Sequence, residues 1–166
     1  MRRIRIIYQQ GVDDIAKNVT RRTITETFLL DFLEEEEDLP IWSAYDRVRG
    51  QFDADKIMSI VLSRYSCRPI LTIVPYDLYA EGLNFVFGVA LVGKGAVIGL
   101  ERFRYGGGDF RDRLAKTIKH ELGHVFGLGH CRNPCVMRFA NSLYELDQKP
   151  GDFCILCRKK LSGIVR

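Results

Sequence analysis

His120-Glu121-Leu122-Gly123-His124-Val125-Phe126-Gly127-Leu128-Gly129-His130 holds all 3 histidines of a 166-residue chain. On an α-helix, residues four apart differ by about 40° in rotation and about 6 Å in rise, so His120 and His124 point the same way from adjacent turns. Two imidazoles then take two corners of one zinc tetrahedron. Glu121, about 100° around from His120, sits beside the metal instead of ligating it, within reach of a water there, which is the position of a general base. His130 cannot join if the helix simply continues, because six further residues carry it about 240° round and about 9 Å along. The chain must turn back. Gly127 lies where that turn is needed, since glycine enters the left-handed helix cap without a Cβ penalty, and Gly129 adds freedom. The plain alternative is a helix whose histidines hold no metal, and the spacing with a glutamate inside argues against it.

Working outward toward the C-terminus, four of the 5 cysteines follow directly: Cys131, Cys135, Cys154 and Cys157. Two well-separated pairs, Cys131-x-x-x-Cys135 and Cys154-x-x-Cys157, match a structural four-cysteine zinc site better than they match disulfides or a redox Cys-x-x-Cys. In a reducing cytosol such clustering favours metal thiolates. The segment has few large apolar residues, so metal binding is expected to supply much of its folding free energy. Because Cys131 follows His130, one zinc would constrain the ligands of the other. Cys67 stands apart and reads as an inert buried thiol.

Toward the N-terminus the chain reads as alternating strands and helices. Ile4, Ile6 and Tyr8 alternate with Arg5 and Ile7 in a first strand. Asp13-Asp14 opens an amphipathic stretch to about Thr27 with Ile15, Val19 and Ile24 on one side, and Phe28 to Leu33 reads as a second strand. A helix after Gln51-Phe52-Asp53-Ala54 has Ile57, Ile60, Val61 and Leu62 as its apolar stripe and stops at Arg68-Pro69. Ile70 to Val74 is a continuous apolar run suited to an interior strand. Asn84 to Val92 and Ala96 to Phe103 read as two strands joined by a hairpin at Gly93-Lys94-Gly95. After Gly106-Gly107-Gly108, Asp109 is an N-cap for the helix that carries the histidines. This order gives an α/β (α+β) fold, a twisted mixed sheet backed by helices, with a small Cys-rich C-terminal part.

The whole chain sets bounds. At 166 residues and 46% hydrophobic it supports one well-buried core, hence one domain over 1–166, with subdomains at about 1–127 and 128–166. A net charge of +4 without dense basic blocks makes nucleic acid an unlikely partner. No apolar run approaches the roughly 18 residues needed to span a bilayer. The start at Met1 lacks the apolar core of a secretory signal, which points to a mature chain beginning there and a cytoplasmic protein, expected to be a monomer. The acidic run Glu34 to Asp38 reads as a solvated strand end or loop in preference to a recognition patch for basic substrates.

His-Glu-x-x-His-x-x-Gly-x-x-His with a downstream methionine resembles the metzincin signature of zinc metallopeptidases. Within that clan, His130-Cys131, Cys135-Val136-Met137 and the late Cys154-Ile155-Leu156-Cys157 resemble the archaemetzincins. Two gaps depart from the family pattern. Only Arg132-Asn133-Pro134 separate the first two cysteines, where four residues are usual, and the stretch from Met137 to Cys154 is about one residue short. The resemblance implies a metzincin-like fold and two zinc ions per chain, one catalytic and one structural. It also implies a Met-turn at Met137 beneath the histidines. Some metzincins carry an oxyanion-stabilising tyrosine two residues after that methionine, but here the position is Phe139, leaving Tyr144 as a guess for such a donor.

The expected activity is zinc-dependent hydrolysis of a peptide bond, with Glu121 accepting the proton of a zinc-activated water and passing it to the leaving amine. The substrate is a peptide or protein, and no residue that binds it is assigned. If Asn84 to Val92 forms a sheet edge, as the upper rim strand does in the resembling family, an extended peptide can pair with it. The competing expectation is a zinc-stabilised binding module with little turnover, its Arg158-Lys159-Lys160 docking an acidic partner or nucleic acid.

Overall fold

A computed structural model describes residues 3–165, and the reading of a mature start at Met1 lies outside them. In chain order the strands and α-helices are β1 (Arg3–Gln9), α1 (Asp14–Thr23), β2 (Asp31–Glu37), β3 (Tyr45–Asp46), β4 (Gln51–Asp53), α2 (Ala54–Arg64), β5 (Ile70–Val74), β6 (Leu78–Tyr79), β7 (Gly88–Leu91), β8 (Gly95–Gly99), α3 (Phe110–Val125), α4 (Leu143–Gln148) and α5 (Ile155–Val165). Five strands form one sheet in the order β2-β1-β5-β8-β7, and β3-β4-β6 form a small second sheet. Within the larger sheet all pairs are parallel except β7 with β8, so β7 is an antiparallel edge.

Alternation in β1 sends Ile4, Ile6 and Tyr8 to one face and Ile7 to the other, and both faces are covered. The first face packs against α1, α3 and the C-terminal segment through Ala16, Ile24, Leu114, Ile118, Leu122 and Phe153. The second packs against α2 and the chain before it through Leu39, Ile41, Ile57, Met58 and Val61. β5 is buried along its whole length, as an interior parallel strand requires. No helix among the described residues is long and apolar enough to cross a membrane.

α3 positions the histidines. The Asp109 side chain accepts from the Arg111 and Asp112 amides at 2.9 and 3.3 Å, capping the helix where the sequence predicts it. Leu114, Ile118, Leu122 and Val125 face the sheet. A second face carries Arg113, Lys116 and Lys119, which grip α4 and the segment beyond it. Arg113, only 2% exposed, donates twice to Asp147 at 2.7 Å and also to the Phe103 and Tyr105 carbonyls. Lys116 donates to the Leu146 and Asp147 carbonyls, and Lys119 to the Gly151 carbonyl and to Asp152.

Several boundaries differ from the sequence-based expectation. The second strand is displaced from Phe28–Leu33 to Asp31–Glu37 and absorbs most of the acidic run. Phe28 instead ends a π-turn, and Leu29 adopts a left-handed φ of 53°. Glutamates are poor strand formers, but here Glu34, Glu35, Glu36 and Glu37 pair with Arg21, Arg5, Lys17 and Arg64, so tertiary charge pairing overrides propensity. The run is thus a charged edge strand, a form that resists pairing with other chains. On α1 the buried face is Ala16, Thr20 and Thr23, not Ile15, which is 46% exposed. Thr20 and Thr23 bury their hydroxyls by donating to the carbonyls four residues back. On α2, Met58 is buried in the stripe while Ile60 and Leu62 are half-buried. The two hairpin strands are shorter than expected, with Phe103 in a 3-10 turn over Glu101–Arg104. Cys67 is exposed in the loop before β5, which corrects its reading as a buried thiol.

Candidate functional site

His120 and His124 project from α3, and the chain then reverses at Gly127, whose φ of +95° is the left-handed cap expected there. The Gly127 amide donates to the His124 carbonyl and the Leu128 amide to that of Gly123, closing the helix and returning His130. The three rings lie 4.6, 4.9 and 5.4 Å apart between centroids, and one nitrogen from each falls within 4.8 Å of the others. The Nδ1 atoms of His120 and His124 donate to the Val136 and Leu128 carbonyls at 2.9 and 2.8 Å. Those acceptors fix the tautomer that leaves each Nε2 lone pair free. The two Nε2 atoms stand 3.1 Å apart. Two ligands of a tetrahedral zinc at about 2.0–2.1 Å stand about 3.3–3.4 Å apart, so the pair fits such an ion closely.

Met137 is fully buried against α3. Its approach depends on Gly123, where an added Cβ would lie 2.4 Å from the Met137 sulfur. Glu121 reaches toward β7. A Cβ at Gly88 would lie 3.0 Å from Glu121 Cγ and 2.9 Å from the Val97 carbonyl oxygen. Gly123 thus lets Met137 approach α3, and Gly88 makes room for Glu121 beside β8. Neither was singled out from the sequence, because a close approach between distant segments leaves no local signal.

The rings and Glu121 open onto a cleft of about 280 Å³ whose further lining includes Phe85, Phe87, Thr117, Ala140 and Leu146. Phe139 packs its ring 5.4 Å from that of His130. Tyr144 is 74% exposed on α4 and does not line the cleft, which removes it as a donor. A residue the sequence did not flag does line it: Lys149, 8% exposed, with Nζ 3.1 Å from the Arg138 carbonyl and 3.2 Å from His120 Nδ1. Burial raises the Glu121 carboxyl to about 8 against the pull of Lys149, and a dication held by the adjacent imidazoles would favour its ionised form. Burial, reinforced by Lys149 and the neighbouring imidazoles, lowers His120 to about 3, which keeps it neutral and able to ligate at physiological pH.

The four C-terminal thiols form a second cluster, with sulfur atoms all within 4.8 Å of one another. Cys131 and Cys154 sulfurs are 3.8 Å apart, far beyond the disulfide bond length of about 2.05 Å. Tetrahedral zinc with bonds of about 2.3 Å separates its sulfurs by about 3.8 Å. The Met137 and Cys154 amides donate to Cys135 Sγ at 3.4 and 3.2 Å, and the Cys157 amide to Cys154 Sγ at 3.5 Å. Such donors favour thiolates. The amide of Cys157 chiefly lowers Cys154, to about 6, whereas burial pushes Cys135 and Cys157 up. Thiols so divided share one site most readily around a cation.

Comparison with known proteins places this geometry among relatives. The family model described as Peptidase family M54 matches residues 7–163. The archaemetzincin of Nanoarchaeum equitans is 35% identical over 156 residues, covering 94% of this chain and 88% of its own. That of Pyrobaculum aerophilum is 44% identical over 131 residues, covering 78% and 83%. The crystal structure of the Methanopyrus kandleri archaemetzincin superposes with a TM-score of 0.87 at 33% identity, covering 98% of this chain and 94% of that one.

Proposed function

Since the chain belongs to the archaemetzincins, peptidase family M54, and is a zinc-dependent metallopeptidase, we propose that His120, His124 and His130 hold the catalytic zinc, that Glu121 is the general base, and that Cys131, Cys135, Cys154 and Cys157 hold a structural zinc. Family membership decides for a peptidase over a zinc-stabilised binding module. The observation that carries the assignment of roles is the convergence of three ring nitrogens beside one buried carboxylate at the floor of a cleft.

Bound zinc supplies Lewis-acid chemistry, lowering the pKa of a coordinated water from 15.7 toward about 7 and polarising a carbonyl. The protein's residues supply the remainder. Val136 and Leu128 carbonyls hold His120 and His124 in the ligating tautomer, and Met137 supports the rings from below. Glu121 accepts a proton from the attacking water on its carboxylate and returns it to the leaving amine, so that it serves as base and then acid. The apolar lining limits water around the reacting bond. β7, the antiparallel sheet edge above the site, has free backbone groups on its outer side with which an extended peptide can pair. The four reduced thiols suit a reducing compartment such as the cytoplasm.

Replacing Glu121 with alanine is the test. Zinc content measured by atomic emission should stay at two per chain, while kcat/KM for any cleaved peptide falls about 10²- to 10⁴-fold, the usual contribution of general acid–base catalysis. Unchanged turnover with zinc retained would remove Glu121 from the mechanism.

A further inference from the structure

Each lysine that α3 holds in its interface with the C-terminal segment has a carboxylate: Lys116 meets Asp112 and Lys119 meets Asp152, each at 2.9 Å. Lys149, nearly as deeply buried as Lys116, forms no ion pair among the described residues. Its ammonium has only the Arg138 carbonyl and His120 Nδ1 within hydrogen-bond distance. Since His120 Nδ1 already donates to Val136, that neighbour offers no acceptor, and one carbonyl is left to satisfy a group with three protons. Glu121 lies beyond ion-pair distance. Glu121 attracts the ammonium from that distance without bonding it, and a buried cation with no directly bonded counter-charge is stabilised when an anion in the cleft pairs with it.

The position is fixed. Lys149 is the C-cap residue of α4, its amide donating to the Glu145 carbonyl at 3.0 Å, and Pro150 follows. It lines the same cleft as Thr117, Ala140 and Leu146, whose apolar surface suits the methylenes of a side chain on its way to the ammonium. Lys149 Nζ stands 3.2 Å from His120, a proposed zinc ligand, so an anion bound to it belongs to a residue next to the scissile bond.

We infer that Lys149 is a specificity residue that selects a carboxylate on the substrate residue flanking the scissile bond, either an acidic side chain or the free C-terminus of the peptide. The inference rests on the peptidase reading of the site. It assigns this cleft acidic peptides, or peptides cut near their C-terminal end, in preference to neutral ones.

The test uses matched peptides with Glu or Gln at each position flanking the cleaved bond, each as free acid and as C-terminal amide, on zinc-loaded full-length protein. The wild type should favour Glu over Gln, or acid over amide, by about tenfold or more in kcat/KM, as expected for a charge-assisted contact in a dry site. The Glu/Gln pair identifies a side-chain carboxylate and the acid/amide pair a chain terminus. Lys149→Met should bring the ratio to about one, and Lys149→Arg should keep most of it. A ratio is insensitive to the fraction of enzyme loaded with zinc, so it separates recognition from a purely structural role that lowers all substrates alike. Binding of the same peptides to the Glu121→Ala protein, read by calorimetry, requires no turnover and stands even if Lys149→Met fails to fold or no peptide is cleaved. Absence of any carboxylate preference in the wild type, in both turnover and binding, overturns the inference, as does a preference that survives in Lys149→Met. Loss of turnover with the binding preference intact would count against the peptidase assignment and not against Lys149.

Discussion

The two ligand clusters are built on opposite plans. The histidines come from one helix and the turn after it, span only 120–130, and open onto a cleft, with His130 exposed. The cysteines come from two loops and the start of α5, span 131–157, and enclose a site in which Cys135 and Cys157 are buried. The first presents an existing helix face, so its geometry is set before any metal arrives. The second gathers two loops and a helix start that are separated by eighteen residues of chain between its inner cysteines. An open site on a rigid element suits chemistry, and a closed one joining loops suits stability.

That contrast predicts unequal costs, the largest at the cysteines. Replacing Cys154 and Cys157 with serine should cost at least about 5 kcal/mol, or roughly 10–20 °C in Tm at about 2–4 °C per kcal/mol. It should also drop zinc below one per chain, because the freed loop carries Val136, the partner of His120, and Met137, which packs on α3 at Gly123. Replacing His120 and His124 with alanine should remove one zinc and move Tm far less. Thermal denaturation with metal analysis on both variants checks this. Equal losses of Tm and metal in the two would abolish the distinction.

A smaller effect should arise at the contact between the plans. Gly123 lies on the histidine helix and Met137 on the cysteine loop, and a methyl at Gly123 would meet the Met137 sulfur at 2.4 Å. Overpacking of this kind costs about 1–3 kcal/mol, against about 1 kcal/mol gained from alanine's helix propensity. Gly123→Ala should therefore destabilise by about 0–2 kcal/mol in urea denaturation while making one zinc markedly easier to strip with a chelator. Chelator sensitivity equal to wild type at both sites would mean that Met137 does not support the histidines.

What the sequence made legible follows the same division. The histidine string is local: helix geometry and one glycine turn are enough to read it, and the structure brings His120, His124 and His130 together as that reading requires. The cysteine pairs are legible by spacing, because chemistry limits what four clustered thiols do. Contacts that join distant segments without a motif were hidden. Lys149 is 29 residues from His120, Asp147 is 34 from Arg113, and each looks like an ordinary surface charge in the sequence. The same blindness misplaced β2, whose glutamates read as a solvated strand end or loop until Arg5, Lys17, Arg21 and Arg64 supply the opposite charges. Periodicity located the helix α1 but chose Ile15 for its buried face, because threonines that return their hydroxyls to the backbone count as polar.

The smallest expected effect tests whether the cysteine region depends on its metal alone. Arg113 on α3 holds Asp147 of α4 through two bonds of 2.7 Å, independently of any thiol. Hydrogen bonding to Arg113 is the chief cause that keeps the Asp147 carboxyl below its ordinary range. A carboxyl whose folded pKa lies below its unfolded value of about 3.9 contributes stability that is complete above that value and is lost as pH falls through the lowered one. Severing a fully buried pair costs about 3–5 kcal/mol. Here Asp147 is 34% exposed and water screens the pair, so Asp147→Asn should cost about 1–2 kcal/mol at pH 7. The gap between wild type and variant in urea denaturation should begin to narrow as pH falls below about 4, where the unfolded carboxyl takes up its proton, and close once pH passes below the lowered folded value, where the folded carboxyl is neutral as well. A gap that persists undiminished at pH 3 would mean that the asparagine acts through packing. Zinc retained at pH 7 in the Asp147→Asn protein would then show that α4 is tied to α3 by charge and the cysteine loops by metal, as two separable fastenings of one segment.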